Sequence, residues 1–217
     1  MKPTTTFLTA LLVALACASC SKDSDGNGHF DPTKFYIAGT TEGASTDSTG
    51  YALLFQPNGV GAAVSARKNA NASYEFQNGH LKFIFKNSSE GFDFTIHDNK
   101  ITGASELSHT MGLPHTYSLQ KIPGTDGFKG KTFAGQADNT GITVKFGTDG
   151  NLEVSQTQNA LTITQKGKYT LQNNAVANAN VVNIDPLLCI LLDGKLIISS
   201  SDATGSIENY AVLEQAK

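Results

Sequence analysis

The chain has 217 residues, with 16 basic and 19 acidic side chains, a formal charge of −3 and only 16% charged residues. A mildly acidic chain without a basic excess is not typical of nucleic-acid-binding proteins, and it offers no positive surface to anionic lipid. With 21 glycines, six prolines and 39% hydrophobic residues, the composition is that of a β-rich exported protein and excludes a disordered chain.

The N-terminus has the features of an export signal. Lys2 precedes an apolar run from Phe7 to Ala16, and small residues and cysteines follow. The run is shorter than the about 20 apolar residues that a membrane-spanning helix needs. The sequence therefore predicts a helical signal peptide over residues 1–19 and no transmembrane helix.

Cys20 and the residues after it resemble the lipobox and acidic tail of Bacteroidota-type surface lipoproteins. In that family the acylated cysteine becomes the first residue, and a Ser-Lys-Asp-rich stretch such as residues 21–25 (SKDSD) directs export to the cell surface. The resemblance implies a palmitate-bearing Cys20, a flexible tether over residues 20–33, and a lipid anchor in the outer membrane. Cys17, preceded by the small residues Ala14 and Ala16, is the alternative anchor.

The rest of the chain contains two stretches that echo one another. Phe55 before an Asn-Gly turn corresponds to Phe146 before an Asp-Gly turn, and Tyr74–Asn78 (YEFQN) corresponds to Tyr169–Asn173 (YTLQN). The offsets drift between about 91 and 96 residues, as loop insertions and deletions produce between two copies of one unit. The sequence predicts a duplicated all-β unit over residues 34–124 and 125–217.

Each unit is predicted to contain short strands joined by tight turns. Asp98-Asn99 and Asp193-Gly194 are two-residue hairpin turns, since these residues tolerate the positive φ that such turns require. Consecutive hairpins favour an antiparallel meander, closed into a small barrel or curled into a sandwich, because closure removes exposed strand edges. The predicted strands are residues 35–39, 51–56, 61–66, 73–77, 81–86, 92–97, 100–104, 116–122, 131–135, 141–146, 151–156, 160–164, 168–172, 187–192, 195–200 and 209–214.

The beginnings of the two units, KFYIAGT and KTFAGQ, and the repeated pattern of strand, turn and strand resemble the tandem lipocalin-like domains of such lipoproteins. The resemblance implies a binding protein. Its ligand would be an apolar small molecule inside a barrel or a glycan held by the loops. Lipoproteins of this kind usually serve a nearby outer-membrane transporter, which is therefore an expected partner.

Four tyrosines at recurring places are the candidate ligand-binding residues: Tyr51, Tyr74, Tyr169 and Tyr210. Their rings offer faces for sugar C–H groups, and the polar stretches 40–50, 67–73 and 173–183 offer amides and hydroxyls for sugar hydroxyl groups. The alternative, which the repetition favours, is that these tyrosines cap the core of each unit.

The densest set of metal-ligating side chains is His109, Met111 and His115. Histidine and methionine together can hold haem iron or a soft metal, which makes a haem- or metal-binding lipoprotein an alternative function. A turn-rich connection with solvent-facing histidines is the commoner explanation, and no cofactor is predicted.

Enzymatic activity is not predicted. The chain has neither Gly-x-Ser-x-Gly nor HExxH, and most acidic residues occupy apparent turns. Cys189, inside the apolar run LLCILL, is expected to be a small buried hydrophobe because nothing beside it would stabilise a thiolate. Ser48, within Asp47-Ser48-Thr49, matches a short bacterial O-glycosylation pattern in a polar loop. The sequence thus predicts a non-enzymatic binding protein on the cell surface, with a structural or adhesive protein as the alternative.

Overall fold

A computed structural model describes residues 30–41, 49–66, 69–107, 116–204 and 207–217. Within these ranges the chain forms two eight-stranded antiparallel sheets, with only single 3₁₀ turns besides the strands. The predicted all-β class with two meander units is confirmed. No helix in the described ranges is long and apolar enough to cross a membrane.

The first unit is an eight-stranded meander that is almost closed. Its first strand pairs with the second and the eighth, whereas the seventh and eighth strands form no ladder with one another among the described residues. The strands are β1 Phe35–Thr41, β2 Thr49–Gln56, β3 Val60–Ser65, β4 Ala70–Gln77, β5 His80–Phe85, β6 Gly91–His97, β7 Lys100–Glu106 and β8 Thr116–Lys121.

The second unit has the same chain order and closes into a barrel. Its last strand pairs with both its seventh and its first, so that no edge is left at the seam. The strands are β9 Thr132–Ala137, β10 Thr140–Phe146, β11 Asn151–Gln158, β12 Leu161–Asn173, β13 Val176–Val181, β14 Ile184–Leu192, β15 Lys195–Ser201 and β16 Ile207–Gln215.

Equivalent aromatic pairs occupy the same strands of both units. The rings of Phe55 and Tyr74 meet edge-to-face with centroids 5.1 Å apart, and those of Phe146 and Tyr169 do the same at 5.1 Å. These four residues are the ones that correspond to each other in the two repeated stretches of the sequence. The predicted correspondence between the two copies therefore extends from strand order to side-chain packing.

The two predicted hairpin turns are also confirmed. Asp193 and Gly194 have φ angles of 50° and 79° between β14 and β15, and Asp98 and Asn99 have φ angles of 49° and 56° between β6 and β7. Two successive positive φ values are those of a type I′ turn, whose twist matches that of the flanking strands.

The strand prediction was wrong in one region of the second unit. The two predicted strands 160–164 and 168–172 are a single strand, β12, which runs from Leu161 to Asn173. Residues 176–181 form β13, although the stretch 173–183 reads as a polar loop. The asparagine-rich β13 is held in the sheet because Val176, Ala177 and Ala179 are fully buried in the barrel. Gly167 does not break β12, since a Cβ there would lie 2.1 Å from the carbonyl oxygen of Asn180 on β13. The absence of a side chain at this position permits β12 and β13 to lie in close contact.

Large apolar side chains fill the interior of each unit. Phe83 and Phe94 are fully buried in the first unit, and Phe133 and Phe146 are fully buried in the second. Phe128 is also fully buried, and its ring centroid lies 4.9 Å from that of Phe146. Aromatic rings thus occupy the positions that a ligand would take in a hollow barrel.

The two units pack against each other through an apolar interface. Tyr36, Ala38, Ala52, Leu54 and Val64 of β1–β3 belong to the same buried cluster as the core of the second unit. They alternate along their strands with residues that face the interior of the first unit, so β1 and β2 are buried on both faces. This burial holds the two meanders together.

Hydrogen bonds between described residues also join the two units. The Tyr36 hydroxyl donates to the carbonyl oxygen of Leu191 at 2.5 Å, and the Ser201 hydroxyl donates to that of Ala66 at 2.6 Å. At the rim, the side-chain amide of Gln120 donates to Asp193 at 2.6 Å. Burial raises the pKa of Tyr36, as expected of a neutral phenol enclosed between two sheets.

Candidate functional site

The four candidate tyrosines make contacts within the fold. The hydroxyl of Tyr51 donates to the backbone carbonyl oxygen of Thr116 at 3.0 Å, and the hydroxyl of Tyr74 donates to the backbone carbonyl oxygen of Gln56 at 2.7 Å. The hydroxyl of Tyr169 donates to the Asp126 carboxylate at 2.7 Å. Burial raises the pKa of each of these phenols, and the bond to Asp126 raises that of Tyr169 further. Such contacts are those of residues that cap a core.

Tyr210 lies half-buried on β16 and packs against the core of the second unit. Neither it nor the other three tyrosines lines either of the two surface depressions described below.

Cys189 is fully buried at the centre of β14. Burial raises the pKa of its thiol to about 12, because the thiolate would lose its hydration. At neutral pH the group is a neutral apolar side chain, in agreement with the expectation for this position.

Several predicted sites lie outside the described residues. They are the anchor cysteines Cys17 and Cys20, the glycosylation candidate Ser48, and the metal-ligand candidates His109, Met111 and His115.

Among the described residues no group of three or more His, Cys, Asp or Glu side chains is arranged to hold a metal ion. The nearest approach to a reactive pair is His80 with Asp93, whose ring nitrogen and carboxylate oxygen are 3.0 Å apart on neighbouring strands. The pair is exposed and connects β5 to β6.

A surface depression lies beside β4 and the connection from β5 to β6, and we call it the β4–β6 depression. It has a volume of about 470 Å³ and is open to solvent. Residues 69–71 form one wall and residues 85–88 with Glu90 form the other. The first wall belongs to the polar stretch 67–73 that the sequence indicated as a glycan-binding loop.

Backbone hydrogen bonds hold the two walls in place. The amide of Lys86 donates to the carbonyl oxygen of Asn71 at 2.9 Å, and the amide of Phe85 donates to that of Glu90 at 3.0 Å. The hydroxyl of Ser88 accepts from the amide of Glu90 at 2.9 Å. Asn87 has a φ of 63°, a left-handed conformation that asparagine tolerates better than most residues. The depression is therefore built on fixed backbone.

The lining of the β4–β6 depression combines amide groups and an aromatic ring with the charged side chains of Lys86 and Glu90. Asn69, Asn71 and Asn87 each carry an amide that can both donate and accept hydrogen bonds. Phe85 adds a half-buried aromatic ring, which is oriented by edge-to-face packing on Phe83 at 5.6 Å. Sequence reasoning missed the second wall, although Asn87-Ser88-Ser89 between two Phe-rich strands marks a polar turn.

The smaller depression, about 220 Å³, is lined by Lys145, Gly147, Asn151, Leu152 and Glu153 on the second unit. Its carboxylate is already paired, since Glu153 lies 3.2 Å from the ammonium of Lys166. Its lining has no aromatic ring.

A scan of protein-family descriptions finds no match for the chain, and a search of curated proteins finds no relative.

Proposed function

We propose that this protein is a non-enzymatic, lipid-anchored protein of the outer cell surface that binds a glycan in the β4–β6 depression. The observation that carries the proposal is the combination of three asparagine amides with an oriented phenylalanine ring on a fixed, solvent-open wall. A side-chain amide can both donate a hydrogen bond to a sugar hydroxyl group and accept one from it, and an aromatic ring can pack on the apolar C–H face of a sugar.

The packing of the barrels favours a glycan over an apolar ligand in the lumen. Phe83 and Phe94 occupy the interior of the first unit, and Phe133 and Phe146 occupy that of the second. An apolar guest would have to displace these rings and lose their dispersion contacts. An external polar site carries no such cost.

The lipid anchor and the surface location depend on the resemblance of residues 17–25 to a lipobox with its acidic tail. An anchored protein with an outward-facing polar site would hold glycans near the membrane, where an adjacent transporter could receive them.

The test is glycan-array screening of the full chain in detergent, followed by titration of the best hit against two variants. Asn71→Ala removes an amide from the β4–β6 depression, and Asn180→Ala removes an equally exposed strand amide from β13 of the second unit. Loss of one neutral hydrogen bond is expected to weaken binding by up to about tenfold. Only Asn71→Ala should show this loss.

If no glycan binds, or if both variants bind as the wild type does, the proposal is refuted. A structural or adhesive role is then the second candidate. It is favoured by the filled barrels and by the apolar interface that joins the two units.

A further inference from the structure

The hairpin of β11 and β12 is longer than the strand beside it on one side, since β13 stops short of its tip, whereas β10 pairs with β11 up to Thr157 on the other side. In the first unit 14 residue steps separate Val60 from Tyr74, whereas 18 separate the equivalent Asn151 from Tyr169. The hairpin is thus four residues longer, and Asn159 and Ala160 close it with φ angles of 50° and 63°. The second unit therefore has a longer hairpin than the first, and we call its tip, residues 155–165, the β11–β12 ribbon.

The β12 edge of this ribbon is unpaired near the turn, within the described residues. β12 pairs with β11 from Leu161 onwards but with β13 only from Gly167 onwards. The antiparallel hydrogen-bond pattern between β11 and β12 determines which backbone groups of β12 face away from β11. Gln158 and Leu161 flank a two-residue turn and form a hydrogen-bonded pair, so Thr162 and Thr164 direct their amides and carbonyls away from β11. Within the described residues these four backbone groups have no partner.

The same ribbon carries the most exposed large apolar side chains of the described residues. Leu161 is 67% exposed and Ile163 is 54% exposed, and Val182, at the end of the free edge, is 63% exposed. Natural sheets protect such edges with charged residues, Pro or bulges. Residues 161–165 (LTITQ) contain none of these protections.

We propose that the free edge of β12 pairs antiparallel with the same edge of a second copy of this chain. The two-fold axis passes Ile163, so that Thr162 of one copy hydrogen-bonds with Thr164 of the other. This register provides strand partners for all four free groups of each edge. An alternative register with the two-fold axis at Thr164 would pair Thr162 of one copy with Lys166 of the other. The carbonyl of Lys166 already accepts a hydrogen bond from the amide of Val182 at 3.1 Å.

Charge favours a second copy as the occupant. A two-fold pairing brings like residues together, so a self-pairing edge must be uncharged around its axis. Residues 161–165 carry no charge, and Lys166 would lie opposite Ala160 and not opposite another lysine. Lys166 is moreover paired with Glu153 of its own chain at 3.2 Å.

The pairing is expected to be reversible. Two short edges with three apolar side chains each bury less than the roughly 1,200 Å² of a standard stable interface. A covalent trap is therefore the appropriate assay. Residues at a non-hydrogen-bonded antiparallel position have Cα atoms about 4.5 Å apart, which lies within the range of a disulfide.

The experiment expresses the full chain with Ile163→Cys and oxidises the purified protein with copper phenanthroline. We expect a disulfide-linked dimer, whereas the wild type, with its native cysteines, sets the background. Leu161→Cys should not cross-link to itself, because residue 161 would oppose residue 165 of the other copy. Val60→Cys is the matched exposed control, since Val60 is 49% exposed on a strand that is paired on both sides.

A second variant tests the backbone bonds. Thr164→Pro, added to Ile163→Cys, removes an outward-facing amide that β11 does not use, and it should abolish the cross-link. Circular dichroism of the purified variants establishes that each is folded. Absence of the Ile163→Cys dimer in a folded protein would overturn the proposal. So would cross-linking of Leu161→Cys at the same yield, or a cross-link that survives Thr164→Pro.

Discussion

Replacement of Gly50 by alanine tests the interface between the two units. A Cβ at position 50 would lie 2.6 Å from the Cγ2 methyl of Ile197, although carbon atoms in ordinary contact are about 3.5–4.0 Å apart. Gly50 is on β2 of the first unit and Ile197 is on β15 of the second. The new methyl therefore overlaps the opposite unit by about 1 Å, and overpacking of this kind costs about 1–3 kcal/mol.

A double-mutant cycle separates this contact from other effects. Ile197→Ala alone should cost about 2–5 kcal/mol, since Ile197 is 1% exposed. It also removes the methyl that the new alanine meets. In the Ile197→Ala background, Gly50→Ala should therefore be close to neutral, which gives a coupling free energy of about 0.5–3 kcal/mol.

The assay is urea unfolding followed by tyrosine fluorescence, because the chain has six tyrosines and no tryptophan. Gly141→Ala is the control: it too is a glycine in a strand, but its Cβ would lie 3.7 Å from the nearest atom, which is ordinary contact. We expect this control to change the free energy of unfolding by less than about 0.5 kcal/mol. If Gly50→Ala and Ile197→Ala are additive within about 0.5 kcal/mol, the two side chains do not meet and the described interface is incorrect.

Two further predictions concern cysteines. Because the pKa of Cys189 is raised from 9.0 to about 12, its burial stabilises the protein fully below pH 9, and that contribution is lost as the pH rises towards 12. Stability to urea should fall over this range, and the thiol should react with a disulfide reagent at pH 8 only after unfolding; reaction at the rate of a free thiol in the native protein would contradict the burial. Metabolic labelling with palmitate should disappear in Cys20→Ala and persist in Cys17→Ala, and the reverse pattern would move the anchor to Cys17.

The local features of the fold could be predicted from the sequence because they depend on neighbouring residues. Asp193 and Gly194 tolerate positive φ wherever they occur, so their turn was predictable. The strand ranges 81–86 and 92–97 were predictable in the same way, and the structure forms β5 and β6 there. The repeated Phe and Tyr positions revealed the duplication, since equivalent core contacts require equivalent residues.

The candidate site was only half predictable. Residues 67–73 read as a polar loop with hydrogen-bonding amides, and residues 69–71 do line the β4–β6 depression. The opposite wall, residues 85–90, comes from a different hairpin. No local pattern shows that the Lys86 amide reaches the Asn71 carbonyl, because that contact depends on strand pairing.

By itself the sequence determined the all-β class, the two copies, the tight turns and the unreactive character of Cys189, since each follows from backbone preference or side-chain polarity at short range. Tertiary structure alone decided that residues 176–181 form a strand, that the barrels are filled, and that β1 and β2 are buried on both faces. It also decided that an inserted hairpin leaves Thr162 and Thr164 with an open edge. These outcomes depend on which strands lie side by side. Strand pairing brings together residues that are far apart along the chain, and the residues around each of them do not indicate which partner it will have.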